Sequence, residues 1–432
     1  MSTGKTDKNF GLHTSWDVRP LGEVVQPTRP RIKPSEKPNL PFIGMENIEA
    51  HTMKLLGTVP AGTMKSSAVH FQPDDVLYGR LRPYLNKVYR PDFEGLCSAE
   101  FIVFPKTEGI SSRYLQYFLN SSSFASYAAH LNAGDRPRVD FEQLSPYPFP
   151  ITPYEQQERI VAEIEKQFSR LDEAVANLKR VKANLKRYKA SVLKAAVEGK
   201  FVSSDPSGWA RTNLGAVLTT IEAGKSFKCE ERLPNIREIG VVKVSAVTWG
   251  TYDEEESKTC LDPDRIETRY FVKPGDFLFS RANTIQLVGR CVIAQKVTRK
   301  VMLSDKILRF HFTDMVISHW VLYWLRSDIG RKEIQRLSTG NQESMRNIGQ
   351  ERIRQIALAL PGLAEQHAIV AEVERRLSVI DELEATVLDN LIRADRLRQS
   401  ILSNAFAGKL VCANISQSGE RSADIQMAKS LE

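Results

Sequence analysis

The five cysteines of this 432-residue chain (Cys97, Cys229, Cys260, Cys291, Cys412) lie far apart, and no two stand in a C-x-x-C pair. An odd, dispersed set argues against both a disulfide framework and a thiolate zinc site. The seven histidines are equally scattered, so no structural metal is expected. No apolar run reaches the roughly 20 residues that cross a bilayer. Residues 1–9 are polar with no signal-peptide core. A cytoplasmic protein with no membrane partner is the expectation.

Catalytic motifs are missing as well. AGKS at 223–226 has the end of a phosphate-binding loop, but the first glycine of that motif would fall at 219, where the chain has Thr219. There is no G-x-S-x-G elbow, no glycine-rich dinucleotide fingerprint, and no N/D-P-P-aromatic motif of an adenine methyltransferase. Glu163, Glu165 and Lys166 could pass for a nuclease fragment, yet they fall on a helix. The chain is therefore read as non-catalytic, with no catalytic residues, no cofactor and no metal of its own.

What is present is a repeat. Shifted by 209 residues, 157–202 aligns without a gap to 366–411, IVAEIE at 160–165 matching IVAEVE at 369–374. Ser169, Asp172, Glu173, Arg187, Ser191 and Leu193 recur as Ser378, Asp381, Glu382, Arg396, Ser400 and Leu402. The preceding segments are related more faintly: Trp16 with LGEV and Trp209 with LGAV, PDDVLYGR (73–80) and PGDFLFSR (274–281), LQYFLNS (115–121) and VLYWLRS (321–327). The order is variable domain, helix, variable domain, helix.

Each repeated segment lacks proline up to the glycine near its end, Gly199 or Gly408, and carries apolar residues at sevens. The first row is Ile164, Leu171, Leu178, Leu185 and Val192; the second is Val373, Ile380, Val387, Ala394 and Ile401. Phe168 and Leu377 belong to the other seam position. Both helices run from acidic to basic: residues 179–194 hold seven cations and no acid, while Glu372, Glu374, Asp381 and Glu382 precede Arg393, Arg396 and Arg398. Antiparallel pairing would set each acidic half against a basic half. The alternative is that each helix independently follows its own macrodipole.

Short β-rich runs (100–105, 276–280, 290–294, 307–312), bounded by Gly, Pro and Asp, alternate with helical stretches at 113–119 and 319–325. The fold class is accordingly α+β: two small mixed α/β domains separated by two long antiparallel coiled-coil helices, an internal repeat with pseudo-twofold character. The expected boundaries are 1–152, 153–202, 203–361 and 362–412, with 413–432 as a disordered tail. Residues 27–41, rich in Pro, Arg and Lys, read as a surface loop that could contact phosphates.

A formal charge of +8 suits a polyanionic partner. The candidate contacts occupy matching places. Arg80 and Arg82 follow one strand, and Arg281 and Asn283 follow its counterpart; Arg suits guanine and Asn adenine in a major groove, because each forms two hydrogen bonds to one base edge. A second pair of loops carries Gly134, Asp135, Arg136 and Arg138, and Gly340, Asn341, Gln342 and Arg346. Lys65 and Ser66, with Lys225 and Ser226, are candidates for backbone contacts. For each of these the alternative is an ordinary charged surface loop.

These motifs give the chain a family resemblance over nearly its whole length. TPYEQQERIVAEIEKQFSRLD (152–172) with ASVLKAAVEGKFV (190–202), and AEQHAIVAEVERRLSVID (364–381) with QSILSNAFAGKLV (399–411), resemble the specificity subunits of type I restriction-modification systems. PDDVLYGR, PGDFLFSR and the Trp starts look like that family's target-recognition domains; only the PITPY entry at 150–154 departs from its pattern. The resemblance implies a host-defence DNA-binding subunit that reads a split duplex target, one domain per half. The helix pair would be a ruler held by Ile164, Phe168, Leu171, Leu178, Leu185, Val192, Val373, Leu377, Ile380, Val387 and Ile401. It implies as partners two methyltransferase subunits, which bring S-adenosylmethionine, and restriction or translocase subunits. Outer charges such as Lys179, Lys186, Arg375 and Arg376 would face those partners or water. The rival readings are a coiled-coil adaptor, an enzyme with an unfamiliar site, and a detached recognition subunit of another restriction-modification type.

Overall fold

The computed structural model describes residues 16–27, 30–202 and 205–410; the tail at 413–432 and Cys412 lie outside them. The chain forms two compact units, one running to Leu178 and resuming at Asp389, the other Lys179–Leu388.

In the first unit an antiparallel ribbon pairs Asp17–Pro20 with Pro148–Ile151 and closes the domain where its chain enters and leaves. Between them lie a three-stranded sheet, ordered Val88–Tyr89, Val76–Gly79, Phe101–Phe104, and a five-stranded sheet. Val76, Leu77 and Tyr78 are all buried, as a strand covered on both faces requires. The PDDV motif explains how that strand begins: the Asp75 carboxylate accepts the N–H groups of Gln72 (2.8 Å) and Lys106 (3.2 Å). Burial pushes its pKa up. Two helices follow, Ser112–Asn120 and Ser122–His130, capped by the hydroxyls of Ser111 and Ser121.

The second unit repeats the plan. Ala210–Asn213 pairs with Ala357–Leu360, and a four-stranded sheet runs Leu218–Ala223, Ile307–Phe312, Phe277–Ser280, Cys291–Ile293. Asp276 holds the Lys273 N–H at 2.8 Å and pairs with the buried Arg309 at 2.8 Å. The helices Ser318–Arg326 and Asp328–Leu337 occupy the places of the two above, Ser327 capping the second. Both helical stretches and the four β-rich runs therefore stand where the sequence put them. The Pro-rich segment differs: Arg31–Ile32 forms an edge strand against Ala68 and Val69, and Pro34–Glu36 a 3-10 turn. Proline tolerates an edge strand because it need not donate there.

The long helices are Tyr154–Val197 and Leu363–Phe406, 44 residues each, about 65 Å at 1.5 Å per residue. Gly199 ends the first at φ 70, where the Lys200 N–H reaches the Ala195 carbonyl and the Gly199 N–H that of Ala196. Gly408 ends the second at φ 74 with the matching bond to Ala405. Within the first unit, Ile160, Val161, Ile164 and Phe168 share one core with Ile401, Leu402, Ala405 and Phe406. Phe406 meets Tyr114 and Phe118 edge-on at 5.2 and 5.3 Å.

One residue fastens each domain to its helix. The fully buried Gln157 accepts the Ser111 N–H (2.9 Å) and donates to the Gly109 (2.9 Å) and Thr152 (2.8 Å) carbonyls. Gln366, equally buried, repeats this with the Ile317 N–H (2.8 Å) and the Met315 (3.1 Å) and Pro361 (2.9 Å) carbonyls. Truncating either orphans three backbone groups in a dry site, each worth about 1–3 kcal/mol. Gln157→Ala is expected to destabilise the first unit by roughly 3 kcal/mol or more, seen as an earlier transition in urea; a midpoint shift equal to that of a surface glutamine would refute the assignment.

Candidate nucleic-acid interface

The two candidate loops of the first unit form one platform. The Arg80 carbonyl accepts the Val139 N–H (3.1 Å), Leu81 bridges Arg138, and the Arg82 N–H donates to the Pro137 carbonyl (2.7 Å). Arg80 is ion-paired with Asp140. Arg138 makes a two-pronged contact with Glu100, Nε at 3.0 Å and an Nη at 2.8 Å, which raises its pKa. Arg82, in the left-handed region at φ 52 and followed by Pro83, is exposed, as is Arg136.

The second unit builds the same platform from other residues. The Arg281 carbonyl accepts the Ile348 N–H (2.9 Å), Ala282 faces Asn347 and Asn283 faces Arg346 in antiparallel register. Met345–Asn347 also pairs with Thr339–Gln342, making a three-stranded ribbon. Arg346 turns back on this hairpin, donating to the Ser338 and Gly340 carbonyls at 2.6 and 2.8 Å and to the Ser338 hydroxyl at 3.2 Å. The Arg281 Nε donates to Asn347 Oδ1 (3.3 Å), and Asn283 Oδ1 accepts the Thr284 N–H (2.8 Å), leaving its NH₂. Asn341 and Gln342 are exposed.

Thus Arg80, Arg82, Arg136 and Arg138 come together, as do Arg281, Asn283, Asn341, Gln342 and Arg346. Among the described residues, no hydrogen bond or ion pair joins Lys65, Ser66, Lys225 or Ser226 to either group. Lys65, Ser66 and Ser226 are exposed. Lys225 is ion-paired with Glu267, which raises its pKa, and sits 5.5 Å from the Tyr270 ring. The braces Glu100, Asp140 and Asn347, and the exposed Met345, escaped the sequence reading. Nothing in the order of residues marks a carboxylate 38 positions from the arginine it holds.

Along the helices, Ile164, Phe168, Leu185, Val192, Val373, Ile380, Val387 and Ile401 are buried; Leu171, Leu178 and Leu377 are half-buried. In the first unit Arg398 pairs with Asp172 and lies over the Phe168 ring at 4.3 Å. In the second, Lys189 meets Asp381 at 2.6 Å and Glu384 at 3.6 Å. The shift of 209 converts one pair into the other, exchanging which helix supplies the acid. Arg375 and Arg376 both hold Glu372, whose pKa falls to about 2 through those hydrogen bonds; Lys179 and Lys186 are exposed. Each unit also has a cleft between its domain helix and its long helix. One is about 510 Å³, lined by Tyr117, Glu165, Ser169 and Asp172; the other is about 570 Å³, lined by Tyr323, Glu374, Ser378 and Asp381.

This is a duplicated α+β chain carrying one side-chain platform per copy. Residues 14–187 match the model of the type I restriction modification DNA specificity domain. The specificity subunit of the type I restriction enzyme EcoEI of Escherichia coli is 23% identical across 88% of this chain and 80% of its own length. That of EcoKI, from E. coli strain K12, is 26% identical across 70% and 66%. A chain solved in a study of complex assembly and conformational transition of the type I R-M system superposes with TM-score 0.72 at 22% identity, covering 92% of this chain and 99% of that one. The HsdS subunit of Thermoanaerobacter tengcongensis superposes at 0.53 with 23% identity, covering 94% and 100%. The chain is thus similar, in its first part by the family model and over most of its length by these relatives, to type I restriction-modification specificity subunits, and among its described residues no helix is long and apolar enough to cross a membrane.

The braces on Arg80 and Arg138 withhold charge from a polyanion. Replacing both acids (Glu100→Gln, Asp140→Asn) is expected to tighten nonspecific duplex binding and to steepen the slope of log K against log salt by about one to two, read by fluorescence anisotropy. An unaltered slope would show that these arginines are internal struts alone.

Proposed function

We propose that this chain reads a split duplex target, one platform per half-site, and that the paired long helices set the distance between the halves. The carrying observation is the equivalence of the two platforms: the same backbone register places Arg82 and exposed Arg136 in one unit where Asn283 and exposed Met345 stand in the other, beside the hairpin that carries Asn341 and Gln342. Base edges in the major groove are read by such fork-shaped side chains, while phosphate contacts position the protein. The first domain precedes the helix Tyr154–Val197 and the second lies between that helix and Leu363–Phe406, the two helices serving as the ruler.

Antiparallel pairing is supported by the exchanged ion pairs, Arg398 with Asp172 and Lys189 with Asp381. A stiff rod fixes both rise and rotation between two heads, so a spacer of the wrong length carries one head off its groove.

The chain is a recognition subunit without chemistry of its own, working with two methyltransferase subunits, which carry S-adenosylmethionine, and with restriction subunits. The equivalent clefts at Asp172 and Asp381 suit two copies of one partner. Apolar side chains left about half exposed on the second long helix, Val379, Leu383, Leu388, Ile392 and Leu397, offer further surface to a partner.

Deleting one heptad from each helix, 178–184 with 387–393, removes about 10 Å of rod. The expected result is a target whose spacer is about three base pairs shorter, read by methylation mapping in cells supplying the partner subunits; an unchanged spacer overturns the ruler. The purified chain alone is expected to transfer no methyl group to DNA, and transfer by it would overturn the division of labour.

A further inference from the structure

We propose that the two platforms select different base pairs: the first takes guanine through Arg82 and Arg136, and the second takes A·T pairs through Asn341, Gln342 and Met345. This rests on the reading of the chain as a two-headed duplex reader and adds the chemistry of each half-site.

Backbone register fixes which residues correspond. Val139 and Ile348 donate to the carbonyls of Arg80 and Arg281, Arg138 and Asn347 stand opposite Leu81 and Ala282, and Pro137 and Arg346 follow. Arg82 therefore corresponds to Asn283, and Arg136 to Met345. At the shared position both heads carry an arginine that is tethered, Arg80 by Asp140 and Arg281 by Asn347. The heads diverge at the positions left outward.

In the first head these are two exposed guanidinium groups. A guanidinium only donates, so the base edge that satisfies both of its prongs is one with two adjacent acceptors, guanine O6 and N7. In the second head the one arginine of the hairpin, Arg346, is turned inward onto Ser338 and Gly340. What remains at the tip is Asn341, Gln342, Glu343, Ser344 and Met345, all exposed. A carboxylate in that place disfavours a phosphate neighbour. A side-chain amide offers one acceptor and one donor, the complement of adenine N6 and N7, and the 76% exposed Met345 presents an apolar end to the thymine methyl. The tip is held in place: Gln342 pairs with Met345 across the turn, and the Ile285 N–H bonds the Glu343 carbonyl at 2.8 Å.

The test is selection of duplexes, randomised in two windows, by the full-length chain with its partner subunits. The expected consensus has a conserved guanine in one half and conserved A·T pairs in the other. Arg136→Ala should lower the preference for that guanine about 10- to 100-fold without altering the second half. Arg136→Lys should lose the same preference yet keep the salt slope, which separates the fork from its charge. Gln342→Ala with Met345→Ala should relax the A·T half alone. If Arg136→Ala relaxes the A·T half, or the Gln342 and Met345 changes relax the guanine half, the assignment is overturned while two-headed reading stands. If no split consensus emerges at all, both are overturned.

Discussion

A reading head is useful only if its direction is fixed relative to the rod that carries it. In each unit that constraint falls on a single buried glutamine in the first turn of the long helix. Gln157 ties together the strand end at Thr152 and the loop at Gly109 and Ser111 that opens the domain's helix pair; Gln366 does the same with Pro361, Met315 and Ile317. Three bonds from one amide, added to the apolar core that domain and helix share, restrict rotation between them, and burial makes each bond costly to break. Any spacing function of the helices presupposes this joint.

The helix pair faces a different problem, since apolar seams at sevens specify association more strongly than register or direction. Charged residues placed among the seam positions restrict both. Asp172 with Arg398 and Asp381 with Lys189 can form only when the early part of one helix lies beside the late part of the other. Pairs with this much exposure add little stability. Their contribution is to penalise the alternatives, because a slip of one turn would carry Arg398 off both its acid, Asp172, and the Phe168 ring.

The elements most legible in the sequence were those governed by local rules. Sevenfold spacing without proline gave both helix starts to within a residue and the glycines that follow each helix, because helix period and left-handed termination depend on near neighbours; the helices themselves stop at Val197 and Phe406, short of the expected 202 and 412. The α+β class and the family resemblance followed from the repeated motifs. The candidate loops were legible as places but not as chemistry. Arg346 reads as a free cation until the hairpin closes on it, and Arg138 until Glu100 arrives from the turn between two strands. Whether a side chain faces outward is decided by long-range packing, which spacing along the chain does not encode. The Arg31–Ile32 strand was hidden for the related reason that proline density suggests a loop wherever no pairing partner is in view.

That division between local and long-range determinants also accounts for how unequally the two halves of the repeat have diverged. Backbone amides and carbonyls hold the platforms together, Val139 to Arg80 in one and Ile348 to Arg281 in the other, and these groups are present whatever side chain stands there. Outward positions can therefore exchange Arg82 for Asn283, or Arg136 for Met345, without disturbing the fold. The helices have no such latitude, since Gln157, Asp172 and the apolar row act through their side chains. A scaffold held by side chains and a reading surface held by backbone will drift at different rates, which is the pattern of alike helices and unlike domains that the chain displays.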